Sequence, residues 1–144
     1  MLGKTYATQV CSAARALEQV GERWSLLIIR DALFAGATHY SDFLRLGVAT
    51  NILKDRLAGF VAHGIMERRA AAVGESHHAY VLTAKGRELA PVIIALTAWG
   101  DRWLAPKGAP IRYTHATCGH PIRAHATCAH CGELSPSTEV LATP

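Results

Sequence analysis

The chain has 144 residues, half of them apolar and 18% charged, with a formal net charge of +4. That length holds one domain and a short appendage, and the composition supports a packed core and excludes wholesale disorder. No run reaches the ~18 consecutive apolar residues of a membrane span, and the N-terminus lacks the sustained apolar stretch of a secretory leader. The expected compartment is the cytosol, at the nucleoid.

Residues 11–20 form the first periodic stretch, with Ala13, Ala14, Ala16, Leu17 and Val20 in an apolar stripe ended by Gly21. Residues 24–34 predict a second helix, apolar nearly all round as a central core helix is, and Gly36 ends it. Two short helices follow. Thr38 is the expected N-cap of the first, with Tyr40, Phe43 and Leu44 inward. In the second, Ile52, Leu53, Leu57, Phe60 and Val61 face the core and Gly64 ends the run.

The period then changes to that of strands at 65–72 and 77–82, with 73–76 as the hairpin loop. Thr83 caps a long helix bearing Leu89, Val92, Ile93, Leu96, Trp99 and Trp103 at three- and four-residue steps. Pro91 should kink or break that helix near its first turns. The predicted fold is therefore mainly α with a small β-hairpin wing: a winged helix-turn-helix domain plus a short C-terminal extension.

Charge is placed unevenly along this plan. Residues 45–69 carry five bases against two acids, whereas 1–44 and 70–104 balance and 105–144 add a single positive charge. A basic surplus on the second short helix and the hairpin after it is the footprint of a polyanion-facing element, double-stranded DNA first. The alternative is a solvated basic face.

More specific are the segments CSAARALEQVGERWSLLIIRDALFAG, HYSDFLRL, LKDRLAGFVAHGIMERR and AYVLTAKGRELAPVIIALTAWGDRW. In that order and spacing, over roughly residues 11–103, they resemble the HxlR family of bacterial winged helix-turn-helix transcription regulators. The resemblance implies a homodimer built through the first and last helices and a pseudo-palindromic operator. The expected division of the chain is a DNA-binding and dimerisation domain at 8–104, a linker at 105–110, a candidate zinc-knuckle-like extension at 111–134 and a flexible tail at 135–144. Two departures touch the DNA face. Ala49 stands where the family usually has Ser, so Thr50 is expected to take over the cap, and His39 replaces a common basic residue.

A recognition helix reads base edges with its first turns, opposite its core stripe. The outward positions here are Thr50, Asn51, Lys54 and Asp55. Asn51 suits a bidentate pair with adenine, and Lys54 suits guanine acceptors or a phosphate. Arg56 reads either as a scaffold residue or as a phosphate contact. Arg68 and Arg69 lead into the wing and His77 leaves it, where backbone or minor groove is within reach. For each of these residues the alternative is an ordinary exposed polar position.

Cys11 opens the first helix, where free amides and the helix dipole favour a thiolate. In some HxlR members a cysteine at this position senses oxidants, quinones or other electrophiles, which implies a redox or small-molecule effector of unknown identity. The competing reading is a small buried apolar residue.

Three of the four cysteines and four of the eight histidines fall within 113–131. HATCG and CAHCG give H-x₂-C, nine residues, then C-x₂-C, with a glycine after each second ligand. His115, Cys118, Cys128 and Cys131 are thus a candidate Cys₃His set for structural Zn²⁺, with His120, His125 or His130 as substitutes for His115. A Cys128–Cys131 redox pair, a disulfide to Cys118 and a plain hairpin with free thiols are the alternatives. No catalytic constellation is present in the sequence. A regulator is therefore favoured over two rivals: an adaptor module with a metal-binding tail, and a small dithiol redox enzyme using Cys128 and Cys131.

Overall fold

The computed structural model describes residues 5–70, 72–74, 77–133 and 140–142. Its elements run α1 (Ser12–Val20), α2 (Ser25–Phe34), α3 (Tyr40–Leu44), α4 (Thr50–Ala62), β1 (Met66–Arg69), β2 (Ala79–Leu82), α5 (Ala84–Arg87), α6 (Ala90–Leu104), β3 (Thr127–Cys128) and β4 (Gly132–Glu133). The mainly helical fold with an antiparallel hairpin is the one the sequence predicts. The chain divides into two compact units, Met1–Ala90 and Pro91–Pro144. The division falls after the first residue of α6, whereas the sequence suggests a linker at 105–110. Residues 135–139 and 143–144 of the expected tail lie outside the described residues.

The core of the first unit is fully buried Ile28, Ile29, Phe43, Leu53, Leu57, Phe60, Ile65 and Met66. Each such side chain stabilises the fold by about 1.5–3 kcal/mol relative to exposure. These residues come from α2, α3, α4 and the start of the wing, so α4 is held by Leu53, Leu57 and Phe60. The expected inward set is too wide at its margins. Leu44 and Val61 are exposed, as are Leu27 and Phe34 of α2, because the stripe that short helices can bury is narrow. Of the α1 stripe only Ala14 and Val20 are buried, and Leu17 is 47% exposed.

Local chemistry sets the ends of the helix-turn-helix. Thr38 does not cap α3; His39 occupies the N-cap position. The Asp42 carboxylate accepts from the backbone N–H of Thr38 at 3.0 Å and of His39 at 2.9 Å. A carboxylate reaching back two positions or more satisfies two free amides at once, which a threonine hydroxyl at 38 would not. Thr50 does not take over the cap of α4 either: Ala49 is the N-cap, with no side-chain hydrogen bond, and Thr50 is the first helical residue. The other end closes as a Schellman motif, with Gly64 at φ 68°, Gly64 N–H donating to Val61 O at 3.1 Å and Ile65 N–H donating to Phe60 O at 2.8 Å. That motif turns the chain straight into β1.

The wing pairs antiparallel from Met66↔Leu82 to Arg69↔Ala79. Among the described residues pairing ends there, short of the strands the sequence suggests; Ala71 of the expected first strand and Glu75 and Ser76 of the loop lie outside the described residues. A third segment joins the sheet: His39 bridges Ala79, and Tyr80 N–H donates to Thr38 O at 2.7 Å. The wing is thereby fastened to the start of the helix-turn-helix. Thr83 fastens it at the far end. Its Oγ1 donates to Gly64 O at 2.6 Å and accepts from Gly86 N–H at 3.2 Å as the N-cap of α5. Pro91 does break the long helix, into α5 and an α6 that carries the proline in its first turn.

Candidate nucleic-acid interface

On α4 the first-turn positions Thr50 and Asn51, and then Lys54 and Asp55, are all exposed, opposite buried Leu53 and Leu57. Tyr40 Oη donates to Thr50 O at 3.0 Å, which ties the start of α4 to α3. Arg68 of β1 is exposed. Lys54, Arg68 and His77 converge with His39, Ser41 and Tyr80 on a concavity of about 370 Å³ between the two. Its basic lining and open side suit a phosphate backbone.

The other two arginines are engaged. Arg56 pairs with Glu22 at 3.3 Å, on the loop after α1. Arg69 pairs with Glu67 along its own strand, its Nε donating to Glu67 Oε1 at 2.7 Å. Ser41 and Tyr80 are absent from the sequence-derived list. They reach the concavity through the bridge between 39 and 79, a long-range register that periodicity does not carry. The carboxyl of Asp42, behind this surface, lies below its ordinary value. The hydrogen bonds from the His39 and Thr38 amides are the main cause, and the charges of His39 and Arg45 add to them.

Cys11 is exposed, so the reading as a buried apolar residue does not hold. It is the N-cap of α1, and its Sγ accepts from Ala14 N–H at 3.3 Å. The N-terminal segment ahead of it is tied to the same helix, with Glu18 accepting from Tyr6 N–H at 2.6 Å and Arg15 bound to Glu18 at 3.1 Å.

In the second unit the four candidate metal ligands form two pairs. His115 Nδ1 lies 3.2 Å from Cys118 Sγ, and the sulfurs of Cys128 and Cys131 are 3.6 Å apart with no disulfide. Among the described residues, no three His, Cys, Asp or Glu side chains gather around one centre. The Cys128 thiol is held below its ordinary value by hydrogen bonds from the Cys131 and His130 amides, with the Cys131 thiol adding to them. No helix among the described residues is long and apolar enough to cross a membrane.

A tight helix-turn-helix, a recognition helix locked by the core and a wing strapped beside it describe one architecture. The family model of HxlR-like helix-turn-helix proteins matches residues 19–108. The chain belongs to the HxlR-like helix-turn-helix family. This HxlR-like chain is 40% identical over 135 residues to Rv3095 of Mycobacterium tuberculosis (strain ATCC 25618 / H37Rv), an uncharacterised HTH-type transcriptional regulator, covering 92% of the chain and 85% of Rv3095. It is also similar to the crystal structure of PA1607, a candidate transcription factor, with 34% identity and a TM-score of 0.83 over 96% of this chain and 99% of that one. Diamide-treated YodB from B. subtilis aligns at 27% identity with a TM-score of 0.51, over 66% of this chain and 96% of YodB. The HxlR-like protein is a transcriptional regulator of the helix-turn-helix type and not an enzyme. The dithiol-enzyme reading of Cys128 and Cys131 is therefore set aside.

Proposed function

We propose that this regulator binds double-stranded DNA as a homodimer at a pseudo-palindromic operator, with α4 in the major groove and the wing beside it. The observation that carries the reading is the convergence of Lys54, Arg68 and His77 on one concave, open surface beside the exposed turn of α4. Thr50, Asn51 and Asp55 face the base edges from the first turns, and the amides at the start of α4 approach a phosphate. Arg69 and Arg56 hold acidic neighbours and serve the frame of the interface. Support for a dimer lies in apolar side chains left exposed in a single chain: Leu17 on α1, and Trp99 at 57% and Trp103 at 63% on α6. Binding of a labelled operator in excess competitor DNA tests the reading. Selective, salt-sensitive binding with two protomers per site is expected; indifference to sequence would favour the adaptor module instead.

Cys11 is the point at which a chemical signal enters. Its exposure, its place at a helix N-cap and the likeness to the diamide-treated YodB structure support this role. A quinone adds to the thiolate by forming one C–S bond, and the ring takes up the proton and the electron pair. Quinone treatment should change operator affinity in the wild type and leave Cys11→Ser unaffected. Equal responses of the two proteins would remove Cys11 from the mechanism.

A further inference from the structure

The Cys/His-rich segment after α6 has almost no apolar interior. Every buried hydrophobic residue of the chain lies at or before Ile93, among the described residues. Nevertheless the backbone at 113–133 adopts two tight turns, each closed by antiparallel pairing. In the first, Thr114 bridges Pro121, His115 N–H donates to His120 O at 2.8 Å, and Gly119 N–H donates to His115 O at 2.7 Å. In the second, Thr127 pairs with Glu133 and Cys128 with Gly132. Each turn places a glycine with positive φ directly after its second candidate ligand, Gly119 at 71° and Gly132 at 92°. Such a φ is costly for any other residue, so the two glycines are conditions of the turns.

In the second turn the sulfur separation is that of half a tetrahedral site, and in the first the two candidate ligands stand closer together than such a site holds them. Zinc–ligand bonds of about 2.3 Å to sulfur and about 2.0–2.1 Å to nitrogen put two corners of the tetrahedron about 3.8 Å apart for two sulfurs and about 3.6 Å apart for sulfur and nitrogen. The observed separations are 3.6 Å for Cys128 and Cys131 and 3.2 Å for Cys118 and His115. Backbone amides point at a sulfur as they do towards a metal-bound thiolate: His130 N–H and Cys131 N–H donate to Cys128 Sγ at 3.4 and 3.5 Å. His115 and His120 also differ in what they face. His120 Nδ1 is engaged with the Cys118 carbonyl at 3.0 Å, while His115 Nδ1 stands against the Cys118 sulfur.

We infer that residues 113–133 are a structural zinc module, in which one Zn²⁺ joins the His115–Cys118 turn to the Cys128–Cys131 turn. The ion supplies the common centre that the two pairs do not reach by themselves, and it takes the place of the missing apolar core. On binding, each coordinating thiol gives up its proton to solvent and no electrons move. Metal content is read without DNA, so the test does not depend on an operator.

Full-length protein purified without a His tag should contain close to one zinc per chain by elemental analysis. Replacement by Co²⁺ should give the intense thiolate-to-cobalt absorption of a tetrahedral sulfur-rich site. Cys128→Ser and Cys118→Ser should each lose the metal, His115→Ala should lose or weaken it, and His120→Ala should keep it. A thiol count guards against variants that fail to fold. In the wild-type zinc form only Cys11 should react with a thiol reagent, and all four cysteines should react after chelation. Absence of stoichiometric metal with four reactive thiols from the outset would overturn the inference. So would a Cys128–Cys131 disulfide in freshly purified protein, or loss of metal from His120→Ala but not from His115→Ala.

Discussion

At the scale of single residues, the consequential groups are those that settle a local conflict in the backbone. Asp42 is one. It satisfies two amides at the mouth of the helix-turn-helix, and its folded-state pKa lies below its ordinary value of 3.8. Its contribution is therefore complete above that value and disappears as pH falls through the lowered one. Asp42→Ala should cost about 1 kcal/mol at neutral pH, the usual effect of losing a helix cap. In denaturant titrations the gap between the two proteins should close in acid. A gap that persists there would mean that Asp42 acts through packing. The role of Asp42 was hidden in the sequence behind Thr38, the more conventional cap. Cys11 is a contrasting case: its place at a helix start was legible, and its exposure was not, since exposure depends on what packs beside the helix.

Among elements, the wing and the reading helix work as one piece because Thr83, Gly86 and the Schellman turn lock them at a single corner. A Cβ at position 86 would collide with the carbonyl oxygen of Ile65 and crowd the Leu82 side chain. Gly86→Ala should destabilise the first unit by about 1–3 kcal/mol, the usual cost of overpacking a close contact. Thermal unfolding measures it, and an unchanged midpoint would show that the corner can yield. On the binding face, Lys54 and Arg56 lie two residues apart and differ in engagement, one exposed and one paired with Glu22. Lys54→Ala should flatten the salt dependence of DNA binding by about one unit of slope, and Arg56→Ala should leave it unchanged. Equal flattening by both would place Arg56 on the phosphate backbone.

The elements themselves were largely readable from the sequence. The core positions Phe43, Leu53, Leu57 and Phe60 follow from 3.6-residue spacing, and Pro91 announces its break by chemistry alone. What spacing could not carry is register between distant segments. The bridge from His39 to Ala79 brings Ser41 and Tyr80 to the concavity, and no local pattern announces it. Margins of helical stripes were overread for a related reason. Leu44 and Val61 sit at periodic positions, but whether such a position is covered depends on the neighbour it meets.

For the whole molecule, the net charge of +4 is small, and its value lies in where the charges stand. Within the stretch 45–69, Arg56 and Arg69 are paired with Glu22 and Glu67, while Lys54 and Arg68 line the concave face beside the histidines. In the proposed homodimer, a second protomer would cover the exposed tryptophans of α6 and present the same surface in return. Two reading helices would then address two half-sites. Footprinting of the full-length protein on the DNA upstream of its own coding sequence, in excess competitor, probes this arrangement most directly. Two protected half-sites about one helical turn apart, related by twofold symmetry and lost together in Lys54→Ala/Arg68→Ala, are the predicted result. Protection that is absent, or that spreads without regard to sequence, would contradict homodimeric operator recognition.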